Sequence, residues 1–156
     1  MTLAPQDTRT FFITSSTWER RSILQSHSLC DLLLDVIREN RSKQRILAHE
    51  FIFMRDHVHL IPTPGPEVSL EKAMQFIKGG FSFRAKREAK FNGEVWQKGF
   101  NEHRISNAED YSKHVDYIWT NPVKARFVER AEEYLYSSAR LRTEVDAAPL
   151  QFLPKP

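Results

Sequence analysis

Two histidines separated by one valine, His57 and His59 in "MRDHVHLIPTP" (54–64), are residues whose type and spacing can do chemistry. In an extended strand, side chains alternate between faces, so both imidazoles project on one face and Val58 on the other. Imidazole is a common ligand for divalent metals, and two at this spacing can reach one ion. The pair alone has a second reading, two polar residues on a wet sheet face. A second constellation lies in "YSKHVDYIWTNP" (111–122), where Tyr117 and Asn121 are four residues apart. On a helix they share one face, separated by roughly 6 Å along the axis. An amide oxygen can complete a shell begun by two imidazoles. A phenol one turn earlier then stands beside the ion, where a metal-bound phosphate would be the electrophile. The plainer alternative is that Tyr117 packs on a sheet and Asn121 caps the helix before Pro122.

Something must hold these groups together, and the patterning says what. "RTFFITSSTW" (9–18) is aromatic and β-branched and reads as a strand. "SLCDLLLDVIREN" (28–40) spaces Leu29, Leu32, Leu33, Val36 and Ile37 as a helix, with Ser26 or Ser28 as cap. Residues 44–54 and 57–63 read as strands joined by a hairpin turn at Arg55–Asp56, the second ended by Pro62, Pro64, Gly65 and Pro66. A helix starts after Ser69, with Gly79–Gly80 as a point where it would kink or break. A loop over 94–105 leads into a short strand. The next helix is capped by Asn107 and is predicted to stop at Pro122. Residues 128–141 read as a turn or short helix. The order β-α-β-β-α-β-α predicts an α+β, ferredoxin-like (RRM-like) split βαβ fold: an antiparallel sheet with helices on one face and the other face free for a site. One domain over 1–141 and an extended tail over 142–156 are expected.

The bulk properties narrow the classes. The chain has 156 residues, 40% of them hydrophobic, which suits one globular domain, and its apolar runs are too short to span a bilayer. The opening "MTLAPQDTRTFF" lacks a basic start followed by an apolar stretch, so no secretory signal is expected. The single cysteine, Cys30, fits a reducing cytoplasm and reads as a small buried filler rather than a nucleophile. A net charge of +3 permits a polyanionic partner without requiring one.

Taken together, "HVHL", "VWQKGFNEHRI", "YSKHVDYIWTNPVKARFV" and "EYLYSSA" resemble the REP-associated tyrosine transposases, bacterial relatives of the single-strand insertion-sequence transposases in the HUH endonuclease superfamily. The resemblance covers roughly Thr8 to Leu141, with several motifs in the family's order. It implies that His57 and His59 bind a divalent ion, Mg²⁺ or Mn²⁺, that Asn121 is the third ligand, and that Tyr117 attacks DNA. The insertion-sequence relatives usually carry glutamine at the position of Asn121. Where the family more often reads "MPNHVH" this chain reads "MRDHVH", which alters the turn before the pair; Asp56 either sits near the ion or forms the turn, and the turn is favoured.

The implied activity is a metal-dependent single-strand DNA endonuclease and strand transferase, working through a 5′-phosphotyrosine link beside hairpins of the repetitive extragenic palindrome type. The alternative is a hairpin-binding protein of the same fold whose chemistry has lapsed. Tyr111 is the rival phenol, but it lies about 600° before Tyr117 and off the face of Asn121. His114 and His103 either assist at the site or are solvated histidines. For DNA, Lys78, Arg84, Lys86, Arg87 and Lys90 alternate with Phe81 and Phe83, and Lys124 and Arg126 follow the "NP". A solvated helix face with two core phenylalanines explains the first group equally well. The insertion-sequence relatives are dimers, so a homodimer is compatible with the sequence.

Overall fold

A computed structural model describes residues 2–154. Four strands and three long helices follow one another as β1 (Phe11–Ser16), α1 (His27–Ser42), β2 (Ile46–Phe53), β3 (His57–Pro64), α2 (Leu70–Glu88), β4 (Asn101–Arg104) and α3 (Ala108–Lys124). The strands form one antiparallel sheet in the order β2-β3-β1-β4. This is the expected split βαβ arrangement. α1 crosses from β1 to β2 and α2 from β3 to β4, so the two inner strands, β1 and β3, are neighbours in space without being consecutive in sequence.

Alternation along the strands divides the interior into two layers. Ile13, Phe51, Phe53, Val58 and Leu60 point to one face and pack with Leu33, Ile37, Met74, Ile77 and Phe81 of α1 and α2. Both helices are capped where the sequence places the caps: Ser26 Oγ accepts from Leu29 N and Ser69 Oγ from Lys72 N. Cys30 is buried in this core. Desolvation, with Asp31 nearby, pushes its thiol up to about 12, so it is a packing group, not a reactive one. α2 runs through Gly79 and Gly80 without a break. Gly80 faces α1, where an added Cβ would lie 3.4 Å from Val36 Cγ1, so its missing side chain lets the two helices pass closely.

The opposite face is not left open. Ile52, Met54 and Ile61 of the sheet are covered by Tyr111, Ile118 and, half-buried, Val115 and Trp119 of α3, with Phe152 alongside. Residues 142–154 lie against the body in two short 3-10 turns: Arg41 pairs with Asp146, Asp146 Oδ2 accepts from Ala48 N, and Phe152 stacks on Tyr111 at 5.4 Å. The end of the sequence, 155–156, lies outside the described residues.

Two prolines do not end their elements as expected. β3 continues through Pro62 to Pro64, pairing with β2, while its pairing with β1 stops at Leu60. The missing N–H groups thus fall where β3 has lost a neighbour on one side. α3 continues through Pro122 to Lys124. Pro122 sits in the last turn, where it removes a single helical hydrogen bond and is buried, while Asn121 O still accepts from Ala125 N. Among the described residues no helix is long and apolar enough to cross a membrane.

Candidate metal and nucleophile site

β3 carries the two imidazoles on the second face. His57 pairs in register with Ser16 and His59 with Thr14, and their rings are 4.8 Å apart. Each is held through Nδ1. Thr14 Oγ1 lies 2.9 Å from His59 Nδ1, and the Phe12 ring stacks on that imidazole at 5.0 Å. Asp56 Oδ1 lies 2.7 Å from His57 Nδ1, and its other oxygen pairs with Arg20 Nε at 3.2 Å. With both Nδ1 atoms engaged, the Nε2 atoms are left for something else. His59 Nε2 is buried and has no hydrogen-bond partner among the described residues. Desolvation and then the neighbouring His57 push the His59 imidazole down to about 4, so it is neutral at pH 7, the form that ligates metals.

α3 supplies the other groups. The Tyr117 ring is 5.3 Å from His59 and 5.8 Å from Phe12, edge-on to both, and Tyr117 is 47% exposed. Asn121, one turn on, is half-buried, and its carboxamide makes no hydrogen bond among the described residues. Tyr111 is turned into the second core, and burial pushes its phenol above the ordinary range. The anchor of α3 is Glu50 on β2. Its Oε1 accepts from Trp119 Nε1 (2.7 Å), Ser138 Oγ (2.6 Å) and Arg142 Nη1 (3.0 Å). Ala48 and Glu50 flank a bulge in β2, with His49 as the extra residue, and such a bulge re-aims the side chains beside it.

Comparison with known proteins shows the family to which this fold belongs. The sequence profile described as "Transposase IS200 like" matches residues 10–121, from just before β1 to Asn121. The chain belongs to the IS200-like transposase family. It is 29% identical over 130 residues to the REP-associated tyrosine transposase of Escherichia coli K12, covering 83% of this chain and 75% of the relative. A Haemophilus influenzae protein given the same class name is 30% identical over 123 residues, covering 68% of this chain and 70% of that one. A solved structure of a REP-associated tyrosine transposase bound to a REP hairpin superposes with a TM-score of 0.73 at 26% identity, covering 95% of this chain and 87% of that one.

In this IS200-like transposase the departure at Asp56 acquires a contact. Although burial pushes the Asp56 carboxyl up, the hydrogen bond with His57 and the nearby Arg20 guanidinium hold it below its ordinary value. A carboxylate on Nδ1 fixes an imidazole's tautomer and aims its Nε2. Of the two places the sequence offers for Asp56, beside the ion or in the turn, the turn is the one it favours, and the contact with His57 puts Asp56 against the histidine pair as well.

His103 and His114 are brought together, with their rings stacked at 4.8 Å. They meet over Asp110, a residue the sequence reading passed over. His114 also touches Phe12, at 4.6 Å. The i, i+4 spacing of Asp110 and His114 was the available signal; the contact with His103 depends on the β4–α3 connection. The cationic groups divide by layer. Lys124 ends α3, the helix packed on the same side of the sheet as the histidines, and Arg126 follows two residues later. Lys78, Arg84, Lys86 and Arg87 ride on α2, across the sheet from His57 and His59. Lys78 Nζ donates to the carbonyls of Gln97 and Gly99, and Arg84 pairs with Glu88. Of the two interleaved phenylalanines, Phe81 is core and Phe83 is 63% exposed.

Proposed function

We propose that this chain is a divalent-metal-dependent single-strand DNA endonuclease and strand transferase that acts beside DNA hairpins. One observation carries the reading: the exposed phenol of Tyr117 stands edge-on, 5.3 Å between ring centres, to a buried neutral imidazole whose Nε2 has no partner among the described residues. Leaving a buried polar nitrogen unsatisfied costs on the order of 1–3 kcal/mol, which a bound ion would offset. The residues that would hold the ion are His57 and His59 through Nε2, and Asn121 through its amide oxygen. Such a mixed nitrogen and oxygen set suits Mn²⁺ at least as well as Mg²⁺. When bound, the ion neutralises charge developing on the scissile phosphate.

The chain's own groups do the rest. The Tyr117 phenol loses its proton and its oxygen bonds to phosphorus, while the bond from phosphorus to the leaving 3′-oxygen breaks and that oxygen takes up a proton. The result is a 5′-phosphotyrosine and a free 3′-hydroxyl. One phosphate ester replaces another, so the hydroxyl of a second strand can reverse the step without an added energy source. Tyr117 and His59 meet within one chain, so a single copy supplies both, with or without a homodimer. Residues 1–141 form the catalytic unit in this reading, and residues 142–154 brace it. The substrate in this reading is single-stranded where it is cut, because Tyr117 and the imidazoles sit at a sheet face rather than on an element shaped to enter a duplex groove. The hairpin partner is suggested by the relative solved with a REP hairpin. Lys124 and Arg126, at the end of the helix that carries Tyr117, are candidate phosphate contacts. The cytoplasm is the expected setting.

The test is to incubate the protein with a hairpin oligonucleotide carrying a single-stranded flank and Mn²⁺, then look for a covalent protein–DNA species on a denaturing gel. The adduct is expected, and a chelator should remove it. Tight hairpin binding without adduct under every divalent ion tried would establish the lapsed, DNA-binding reading instead. Asp56 gives a finer prediction. Asp56→Asn, which restores the residue more common in the family, should weaken Mn²⁺ binding by about tenfold through a less firmly held His57. Calorimetric titration measures it, and an unchanged affinity would reduce Asp56 to a turn residue.

A further inference from the structure

The geometry points to a second cation site, separate from the His57–His59 pair, built by His103 of β4 with Asp110 and His114 of α3, whose fitting occupant is Zn²⁺. One ligand atom from each of the three residues lies within 4.8 Å of the other two. Ligands around a tetrahedral zinc, at about 2.0–2.1 Å from the ion, sit roughly 3.3 Å from one another. The contacts already present are close to that value. His103 Nε2 lies 2.8 Å from Asp110 Oδ2, and His114 Nδ1 lies 3.2 Å from Asp110 Oδ1. His114 Nδ1 also meets the backbone carbonyl of Asp110 at 2.8 Å, so an ion would enter through a small opening that breaks this bond and releases the protons held between the three side chains.

The donor set favours the same conclusion. Two imidazoles and one carboxylate, with a fourth position open to water, are a common zinc shell, and imidazole suits zinc better than the harder cations. The carboxylate is held in place before any ion arrives: Asp110 Oδ2 accepts from Ser106 N at 3.1 Å, and Asn107 caps the same turn through Asp110 N. Asp110 and His114 share a helix face, and the two imidazoles stack with 24° between their planes, both meeting the same carboxylate. The positive end of α3 and Lys113 oppose a cation there, while Glu109 and Asp110 in the first turn oppose them in turn.

The position gives the site a purpose. Phe12 lies between the two histidine groups, 4.6 Å from His114 and 5.0 Å from His59. An ion among His103, Asp110 and His114 would therefore tie β4 to the start of the helix that carries Tyr117, with Phe12 as the spacer. Its role is to position α3, not to touch DNA.

The experiment uses the full chain carrying His57→Ala and His59→Ala, titrated with Zn²⁺ alone, with Co²⁺ as a visible probe of tetrahedral geometry. We expect one Zn²⁺ per chain, a tetrahedral Co²⁺ spectrum, and a melting temperature that rises with zinc. Adding Asp110→Asn, which keeps the shape, should weaken zinc by more than the roughly 10- to 100-fold that loss of an outer hydrogen-bond partner costs. His103→Ala with His114→Ala should abolish it. No zinc binding by the His57/His59 variant, or equal binding after Asp110→Asn, would overturn the site. A melting temperature lowered by Asp110→Asn but indifferent to zinc would overturn it too, reducing the three residues to a hydrogen-bonded clamp. Because the variant lacks the first histidine pair, failure here leaves the nuclease reading untouched.

Discussion

Tyr117→Phe should abolish the covalent protein–DNA adduct while hairpin binding persists. The substitution removes one oxygen and keeps the ring, so the edge-on contacts with His59 and Phe12 survive. Loss of a nucleophile that no neighbour replaces costs at least about a thousandfold in rate. The rate of adduct formation with a labelled hairpin oligonucleotide measures it. Tyr111→Phe is the matched control and should leave the adduct rate unchanged, since that phenol faces Phe152 inside the second core. Adduct from the Tyr117 variant, or its loss in the Tyr111 variant, would reverse the assignment of the two tyrosines.

Glu50→Ala should produce the largest loss of stability. Its carboxyl group collects Trp119 of α3, Ser138 and Arg142 at a site where Glu50 is 4% exposed. Truncation strands the Trp119 N–H and the fully buried Ser138 hydroxyl and leaves a cavity. We expect about 3 kcal/mol of destabilisation, with the half-exposed Arg142 adding little. Denaturant unfolding gives the value through the shift in midpoint. Glu50→Gln keeps the volume but presents an amide N–H₂ among donors, so it should fall between alanine and the native protein. A loss below about 1 kcal/mol for alanine would mean that water or a rearranged Ser138 replaces the carboxylate. Because Trp119 lies between Tyr117 and Asn121 on α3, the same variant should lose adduct formation even at temperatures where it remains folded.

These two effects have one origin. The chemistry proposed for this chain needs a strand and a helix that are about sixty residues apart in sequence to meet on one sheet face. The strand end of that meeting is rigid, because Val58 and Leu60 lock β3 into the first core while His57 and His59 face the other way. The helix end is held by the second core and by Glu50. Anything that loosens α3 moves the phenol and carboxamide together relative to the imidazoles.

What the sequence alone determined was whatever depends on local period. A repeat of two places His57 and His59 on one face of β3. A repeat of 3.6 places Tyr117 and Asn121 on one stripe of α3 and excludes Tyr111 from it. The serine and asparagine caps, the hairpin at 55–56 and the order of elements were legible for the same reason, since each is decided within a few residues. Tertiary structure decided the rest. The layer on which each helix settles put the α2 cations across the sheet from the histidines, and α3 over a face that alternation alone leaves bare. Pro62 and Pro122 are tolerated because one lies where β3 has lost a neighbour and the other in a buried last turn, neither of which a propensity can register. Asp56 on His57, Glu50 on Trp119 and Asp110 between His103 and His114 are side-chain meetings across turns, strands and layers. They follow from how two amphipathic faces bury themselves against one sheet, a free energy summed over the whole chain rather than written in any one segment.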